Sequence, residues 1–167
     1  MKTLKNLLEG EQDIFDPEKK FKNRSIGIIS ASRGHLTDLE NRYRSEDLRV
    51  NLESRGHHVI PAEGGYIENY GSPQAKDVRE RAFIVMHPET GNDRGKVFDS
   101  LTKLGKKYNQ DSVLYKPYNS DVANLHGTNE TGYPGMDKRE PVGTLKMKKS
   151  EFFTKLSDGR HFSFMKD

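Results

Sequence analysis

The chain has 167 residues, of which 32% are hydrophobic and 32% charged, and it carries a formal net charge of +3. This predicts one domain with a thin core, and so balanced a surface does not demand a nucleic-acid partner. The absence of cysteine excludes disulfides, thiolate metal sites and thiol nucleophiles and fits the cytoplasm. No apolar run approaches the ~20 residues that span a bilayer, so no membrane association is predicted.

The N-terminal segment differs in composition from the rest of the chain. Residues 1–24 are dense in charge and predict an N-terminal arm or a short helix around Leu4, Leu7 and Leu8. Residues 25–167 are predicted to form a single domain with additional strands at its C-terminal end.

From residue 25 onward, apolar periodicity predicts alternating strands and helices. The predicted elements are a strand at 25–31, a helix at 38–55, strands at 57–63 and 82–86, a helix capped at 92 or 93 and running to 108, and a strand at 112–115. Residues 64–79 are predicted to form a glycine-containing loop. This order is that of a ferredoxin-like split βαβ fold, an antiparallel sheet with two helices on one face.

The second face of such a sheet has to be covered. The sequence leaves two possibilities open, namely the C-terminal segments or other copies of the subunit. Short strands are predicted at 121–126 and 144–148, and four phenylalanines around an Asp158-Gly159 turn predict a closing hairpin.

The first candidate site follows the first strand. An isoleucine-rich run stops at Ser30, Ala31, Ser32 and Arg33, and Asn41 follows in the next helix. Hydroxyls, backbone amides and a guanidinium at a sheet edge suit a small ligand. A polar strand end with a helix cap explains the same residues equally simply.

Two later segments carry further candidates. Tyr66 follows two glycines and could stack on a purine or face a cation. Glu80 opens an apolar strand, where a partly desolvated carboxylate could act as a base or bind an amine. Gln110 precedes the strand that contains Val113. Taken alone, the polar pair that Gln110 begins predicts only a turn. The histidine spacing predicts no metal site.

In order and spacing, these segments resemble the small phage-encoded S-adenosylmethionine lyases, formerly called hydrolases. The matching stretches include Ile29 to Arg33, Gly65 to Glu68, Asn109 to Leu114, Pro141 to Gly143 and Asp158 to Arg160, together with Asn41 and Glu80.

The resemblance implies a PII-like homotrimer with active sites between subunits. It implies cleavage of S-adenosylmethionine to 5′-methylthioadenosine and L-homoserine lactone, with the substrate's own carboxylate as nucleophile and no cofactor. Glu80 would hold the substrate ammonium, Tyr66 would orient the sulfonium, and residues 30–33 would contact the nucleoside or the methionine part. The adenine pocket could draw on Gln110 and Val113. Bacteriophage origin and an antirestriction role go with this resemblance as expectations.

Two other functions compete with this one. The first is hydrolysis to homoserine, with Glu80 as general base. The second is a non-catalytic ferredoxin-like module that regulates or binds nucleic acid. RNA binding by such a sheet needs aromatic side chains on its central strands, where the first strand here has isoleucine and glycine, so nucleic acid is disfavoured.

Overall fold

The computed structural model describes residues 14–167. The predicted Leu4–Leu8 cluster lies outside the described residues, and of the predicted arm or helix at 1–24 only residues 14–24 are described, with one helical turn. The elements of the described part are α1 (Pro17–Lys20), β1 (Ile26–Ile29), α2 (Asp38–Ser54), β2 (His58–Glu68), β3 (Lys76–Met86), α3 (Lys96–Lys107), β4 (Ser112–Lys116), β5 (Ala123–Gly127), β6 (Arg139–Lys146), β7 (Phe152–Lys155) and β8 (His161–Met165).

The eight strands of the described part form a closed antiparallel barrel in the order β1-β3-β2-β7-β8-β6-β5-β4. The predicted ferredoxin-like open sheet with a PII-like fold is therefore wrong. The error has a physical cause: β5 pairs with β4 and β7 pairs with β2, so the C-terminal strands take up both free edges and close the sheet on itself. Of the two possibilities for the open face, the chain uses its own C-terminal strands.

The loop predicted at 64–79 is too long, because only residues 69–75 lie between strands. β2 and β3 form one long hairpin, in register from His58 opposite Met86 to Glu68 opposite Lys76. The half of this hairpin nearer its turn is polar. Guanidinium nitrogens of Arg79 lie 3.1 Å from a carboxylate oxygen of Asp77 and 3.4 Å from one of Glu63. Apolar pattern does not predict these strand segments, because backbone hydrogen bonds and ion pairs, rather than apolar packing, stabilise them.

The barrel wall separates two apolar cores. The inner core fills the barrel and includes Ile26, Ile84 and Phe162. The outer core lies between the barrel and the two long helices, with Leu48 of α2 and Leu101 of α3 completely buried. Strand alternation assigns each residue of β1 to one core or the other.

The helix predicted at 38–55 is confirmed almost to the residue, but only some of the apolar side chains that recur along it at helical spacing are buried. Leu48 and Leu52 lie in the outer core, whereas Leu39 and Tyr43 are exposed. Thr37 caps α2 in a capping box with Glu40. This cap fixes where the helix begins relative to the segment that leaves β1.

The end of the barrel where β1 begins is filled by aromatic side chains. The ring of Phe21, just after α1, lies 5.6 Å from Phe162 and 6.3 Å from Phe164, centroid to centroid. Arg24 donates hydrogen bonds of 2.6 Å to the carbonyl oxygens of His87 and Pro88. This closed end leaves the other end, where β1 stops, as the place where polar groups gather.

Candidate active site

Ser30 is the first residue beyond β1, and alternation along β1 directs it to the inside of the barrel. Its hydroxyl donates a hydrogen bond of 2.7 Å to the carbonyl oxygen of Arg81 and accepts one of 3.0 Å from the backbone amide of Ser32. The segment leaving β1 is thereby fixed against β3. Ala31 is completely buried in the outer core, so its side chain faces away from this end.

Arg33 and Asn41 form a reciprocal pair. The Arg33 amide donates to Asn41 Oδ1 at 3.0 Å, and Asn41 Nδ2 donates back to the Arg33 carbonyl at 3.1 Å. The Arg33 guanidinium lies 3.2 Å from an oxygen of Asp111, which stands just before β4. Among the residues that the structure describes, the buried Nε of Arg33 has no hydrogen-bond partner. The Nε–H is enclosed by protein atoms, whereas the side chain as a whole remains 27% exposed, so a ligand can reach its terminal nitrogens.

Glu80 lies on β3 directly opposite Gly64 of β2. A Cβ placed on Gly64 would lie 4.0 Å from Glu80 Cγ, so the two residues share the inner face of the hairpin. Because Gly64 has no side chain, open space remains beside the carboxylate.

The surroundings of Glu80 favour the binding of a cation to its carboxylate. Desolvation by burial raises the pKa of Glu80, the nearby Ser30 hydroxyl and the charge of Arg33 oppose this rise, and the charge of Asp111 adds to it. Glu80 nevertheless remains exposed to solvent. A carboxylate that is crowded by protein atoms yet open to solvent can be reached by a ligand that displaces the remaining water.

Tyr66 lies two residues beyond Gly64 and on the same face of β2. It stands opposite Val78 of β3 on one side and Phe152 of β7 on the other. The Tyr66 and Phe152 rings are 6.5 Å apart, and 42% of Tyr66 is exposed. The structure therefore places this aromatic pair at the rim, one step along the strands from Glu80.

Gln110 and Val113 lie deeper in the protein. The Gln110 amide donates to the carbonyl oxygens of Ser32 at 3.1 Å and Tyr108 at 3.3 Å, so its side chain supports the segment after β1. The Val113 side chain is buried in the outer core and is not part of the inner face. The residues that sequence analysis grouped thus divide into those that line the open end and those that support it.

Two residues beside Glu80 received no role from the sequence. Asp111 follows Gln110 in a segment whose residue types predict only a turn, and Thr154 lies in the predicted closing hairpin, within the stretches that carry the family resemblance. Asp111 reaches this end through its ion pair with Arg33, and Thr154 through the pairing of β7 with Gly64. Both depend on pairings between distant segments, for which a single sequence carries no local signal.

The arrangement suits a ligand that carries both signs of charge. Glu80 offers an acceptor for an ammonium group, and Arg33 offers a donor for a carboxylate. In the part of the chain that the structure describes, no three His, Asp or Glu side chains form a group that could hold a metal. Within residues 14–167, no helix is long and apolar enough to cross a membrane.

Comparison with known proteins bears on this arrangement. The model of the S-adenosylmethionine lyase family matches residues 27–165. No curated protein matches. Among solved structures, the chain is similar to a phage SAM lyase in complex with S-methyl-5′-thioadenosine, at 13% identity and a TM-score of 0.32, over 78% of this chain and 94% of the other. The family match spans the whole barrel from β1 to β8, and with it every residue placed at the open end. The chain therefore belongs to the S-adenosylmethionine lyase family and is an enzyme of S-adenosylmethionine cleavage.

Proposed function

We propose that the protein converts S-adenosylmethionine to 5′-methylthioadenosine and L-homoserine lactone. A carboxylate oxygen of the substrate attacks its own γ-carbon, the C–O bond forms as the C–S bond breaks, and the electron pair stays on sulfur. No water is consumed and no cofactor is required. The observation that carries the proposal is the Glu80 carboxylate, crowded by protein atoms but accessible to solvent, with the charge of Arg33 acting on it.

This reaction asks little of the protein, because a sulfonium leaves as a neutral thioether. The main barrier is to hold the methionine chain folded so that its carboxylate approaches the γ-carbon. Positioning of this kind contributes several kcal/mol, roughly 7–11 in well-oriented cases. A rigid barrel end with two opposite charges meets that requirement.

Each charged group at the open end then has a distinct role. Glu80 binds the α-ammonium, and the guanidinium of Arg33, whose side chain is 27% exposed, orients the α-carboxylate. Tyr66 lies at the rim, where its ring can face the sulfonium. We expect the adenine contacts to come from the backbone around Gln110, whose side chain holds the segment that follows β1.

Hydrolysis to homoserine is the second candidate. The observation that favours it is the raised pKa of Glu80, since a carboxylate whose pKa is raised accepts a proton from water more readily. In that case Glu80 would bind water rather than the ammonium, and oxygen from solvent would enter the product in the first turnover.

Cleavage in ¹⁸O-labelled water, followed by mass spectrometry at early times, separates the two reactions. We expect 5′-methylthioadenosine together with unlabelled lactone, and labelled homoserine only later as the lactone opens. Labelled homoserine without a preceding lactone would overturn the lyase proposal. Absence of any cleavage would overturn both candidates.

The homotrimer with active sites between subunits stays a prediction. The family resemblance implies this assembly. The uncovered sheet face, which also favoured it, does not exist, because the barrel covers its own inner face. The exposed aromatic side chains at the rim, Tyr66 and Phe152, are consistent with a neighbouring copy there. Light scattering tests the assembly, and a fully active monomer would contradict it.

A further inference from the structure

Six residues form a grid on the inner face at the open end, set by the pairing of three strands. In the first row, Gly64 of β2 stands between Glu80 of β3 and Thr154 of β7. In the second row, Tyr66 stands between Val78 and Phe152. Directly paired residues of an antiparallel sheet point to the same face, so a carboxylate and a hydroxyl flank a gap over Gly64.

Thr154 is an unusual residue for its position. It pairs with Phe162, which is completely buried in the inner core, and Thr154 itself is only 6% exposed. Among residues 14–167, no side-chain hydrogen bond uses its hydroxyl, whereas the nearby Ser30 hydroxyl makes two. Within the same described part of the chain, the Thr154 oxygen is not one of the fully buried side-chain atoms that lack a partner. It therefore keeps contact with solvent, and a ligand that lies over Gly64 can take the place of that solvent.

The spacing of the first row fits one small cation. Two strand spacings place the Glu80 and Thr154 Cα atoms roughly 10 Å apart. An ammonium that donates to two oxygens spans about 6 Å between them. The longer Glu80 side chain, bending toward the gap over Gly64, covers the remainder.

We propose that the Thr154 hydroxyl accepts a hydrogen bond from the α-ammonium of the substrate, which lies over Gly64 between Thr154 and Glu80. This inference rests on the proposed function, since it names a contact to the methionine part of S-adenosylmethionine. The absence of a side chain at Gly64 is what leaves room for the ammonium.

The test compares two ligands that differ in the methionine part. 5′-Methylthioadenosine lacks both the ammonium and the carboxylate, so loss of the Thr154 hydroxyl should not affect its binding. Thr154→Val, which keeps the shape, is expected to raise KM for S-adenosylmethionine roughly 10- to 100-fold, the loss typical of one hydrogen bond to a charged group. Its Kd for 5′-methylthioadenosine, measured by calorimetry, should stay within twofold of that of the unmodified protein.

Three further variants separate a contact from a structural role. Thr154→Ser keeps the hydroxyl and should restore most of the affinity. Gly64→Ala adds a methyl only 3.4 Å from Ala82 Cβ, an ordinary contact, so it should fold and raise KM through the same gap. Thr102→Val on α3, outside the barrel, is the matched control and should leave KM unchanged.

The outcomes are distinct. An unchanged KM in Thr154→Val, or an equal loss of 5′-methylthioadenosine binding, would overturn this inference and leave the proposed function standing. If Thr154→Val does not fold, the Gly64→Ala variant decides: an unaltered KM in that variant overturns the inference. An unmodified protein that does not cleave S-adenosylmethionine would instead overturn the proposed function itself.

Discussion

The two ends of the barrel use the same wall for opposite purposes. At the end where β1 begins, Phe21 packs with Phe162 and Phe164, and the inner space is filled with rings. At the end where β1 stops, Glu80 and Thr154 face a gap over Gly64. The first arrangement gains stability from apolar burial, whereas the second gives up stability by leaving polar groups partly desolvated.

This contrast indicates that stability and activity can be altered separately in this protein. Substitutions at the closed end should change the free energy of unfolding and leave the chemistry of folded molecules intact. Substitutions at the open end should do the reverse. The predictions below test that division, beginning with the largest effect.

Glu80→Gln should lower the rate of cleavage by about 10³-fold, because the amide cannot balance the substrate's positive charge. Its fold should be intact, as judged by circular dichroism. Glu63→Gln is the matched control, since Glu63 lies on the outer face of the same hairpin, 3.4 Å from Arg79, and should leave the rate unchanged. A Glu80→Gln variant that keeps a tenth of the activity would remove Glu80 from the site.

Phe21→Ala should destabilise the protein by about 3–5 kcal/mol through loss of a buried ring. Denaturant unfolding measures this loss, and KM at a temperature where the variant is folded should not change. Tyr43→Ala serves as control, because Tyr43 is 70% exposed, and its effect should stay within about 0.5 kcal/mol. A raised KM in Phe21→Ala would show that the two ends are coupled.

Gly65→Ala and Gly64→Ala test, at neighbouring residues of one strand, whether stability and substrate affinity change separately. A Cβ at Gly65 would lie 2.4 Å from the Phe153 ring on the outer face, so this variant should lose about 1–3 kcal/mol of stability. Gly64→Ala should keep its stability and lose affinity for substrate. Equal thermal unfolding of the two variants would contradict the assignment of the faces.

The pH dependence should show the smallest effect. Since burial raises the pKa of Glu80, cleavage should fall with acid at a pH above 4.5, the ordinary value for glutamate. Because the pKa of Glu80 is higher in the folded protein than in the unfolded chain, the free energy of unfolding should fall as the pH increases from 4.5 through the raised pKa. The Glu80→Gln variant should lack that fall. Thermal unfolding as a function of pH measures it.

Asp111 sharpens this prediction, because its negative charge contributes to the raised pKa of Glu80. Asp111→Asn should therefore move the acid limb of kcat/KM to lower pH. A shift in the opposite direction would show that Arg33, freed from its ion pair, had moved away from Glu80.

Local pattern was a good guide to the elements. The helix predicted at 38–55 is observed at Asp38–Ser54, and the strand predicted at 112–115 is observed at Ser112–Lys116. The closing hairpin around Asp158-Gly159 is present as β7 and β8. These elements have strong local signals, namely a helical stripe, an apolar run and a turn dipeptide, which few competing structures share.

The site could be predicted in part. Ser30, Arg33, Glu80 and Tyr66 were proposed from residue type at strand ends and from the family resemblance, and the structure brings them to one end of the barrel. Thr154 and Asp111 could not be assigned, because each reaches that end through pairing with a segment 70 to 90 residues away in the chain.

The amino-acid sequence by itself therefore determined the order of helices and strands, the polar residues at the end of β1 and the membership in an enzyme family. Tertiary structure alone decided that the sheet closes into a barrel, that residues 64–68 and 76–79 extend β2 and β3, and that Thr154 faces Glu80 across Gly64. The physical reason is range: helix and turn signals arise between neighbours in the chain, whereas strand register is set by the energy of pairing between distant segments.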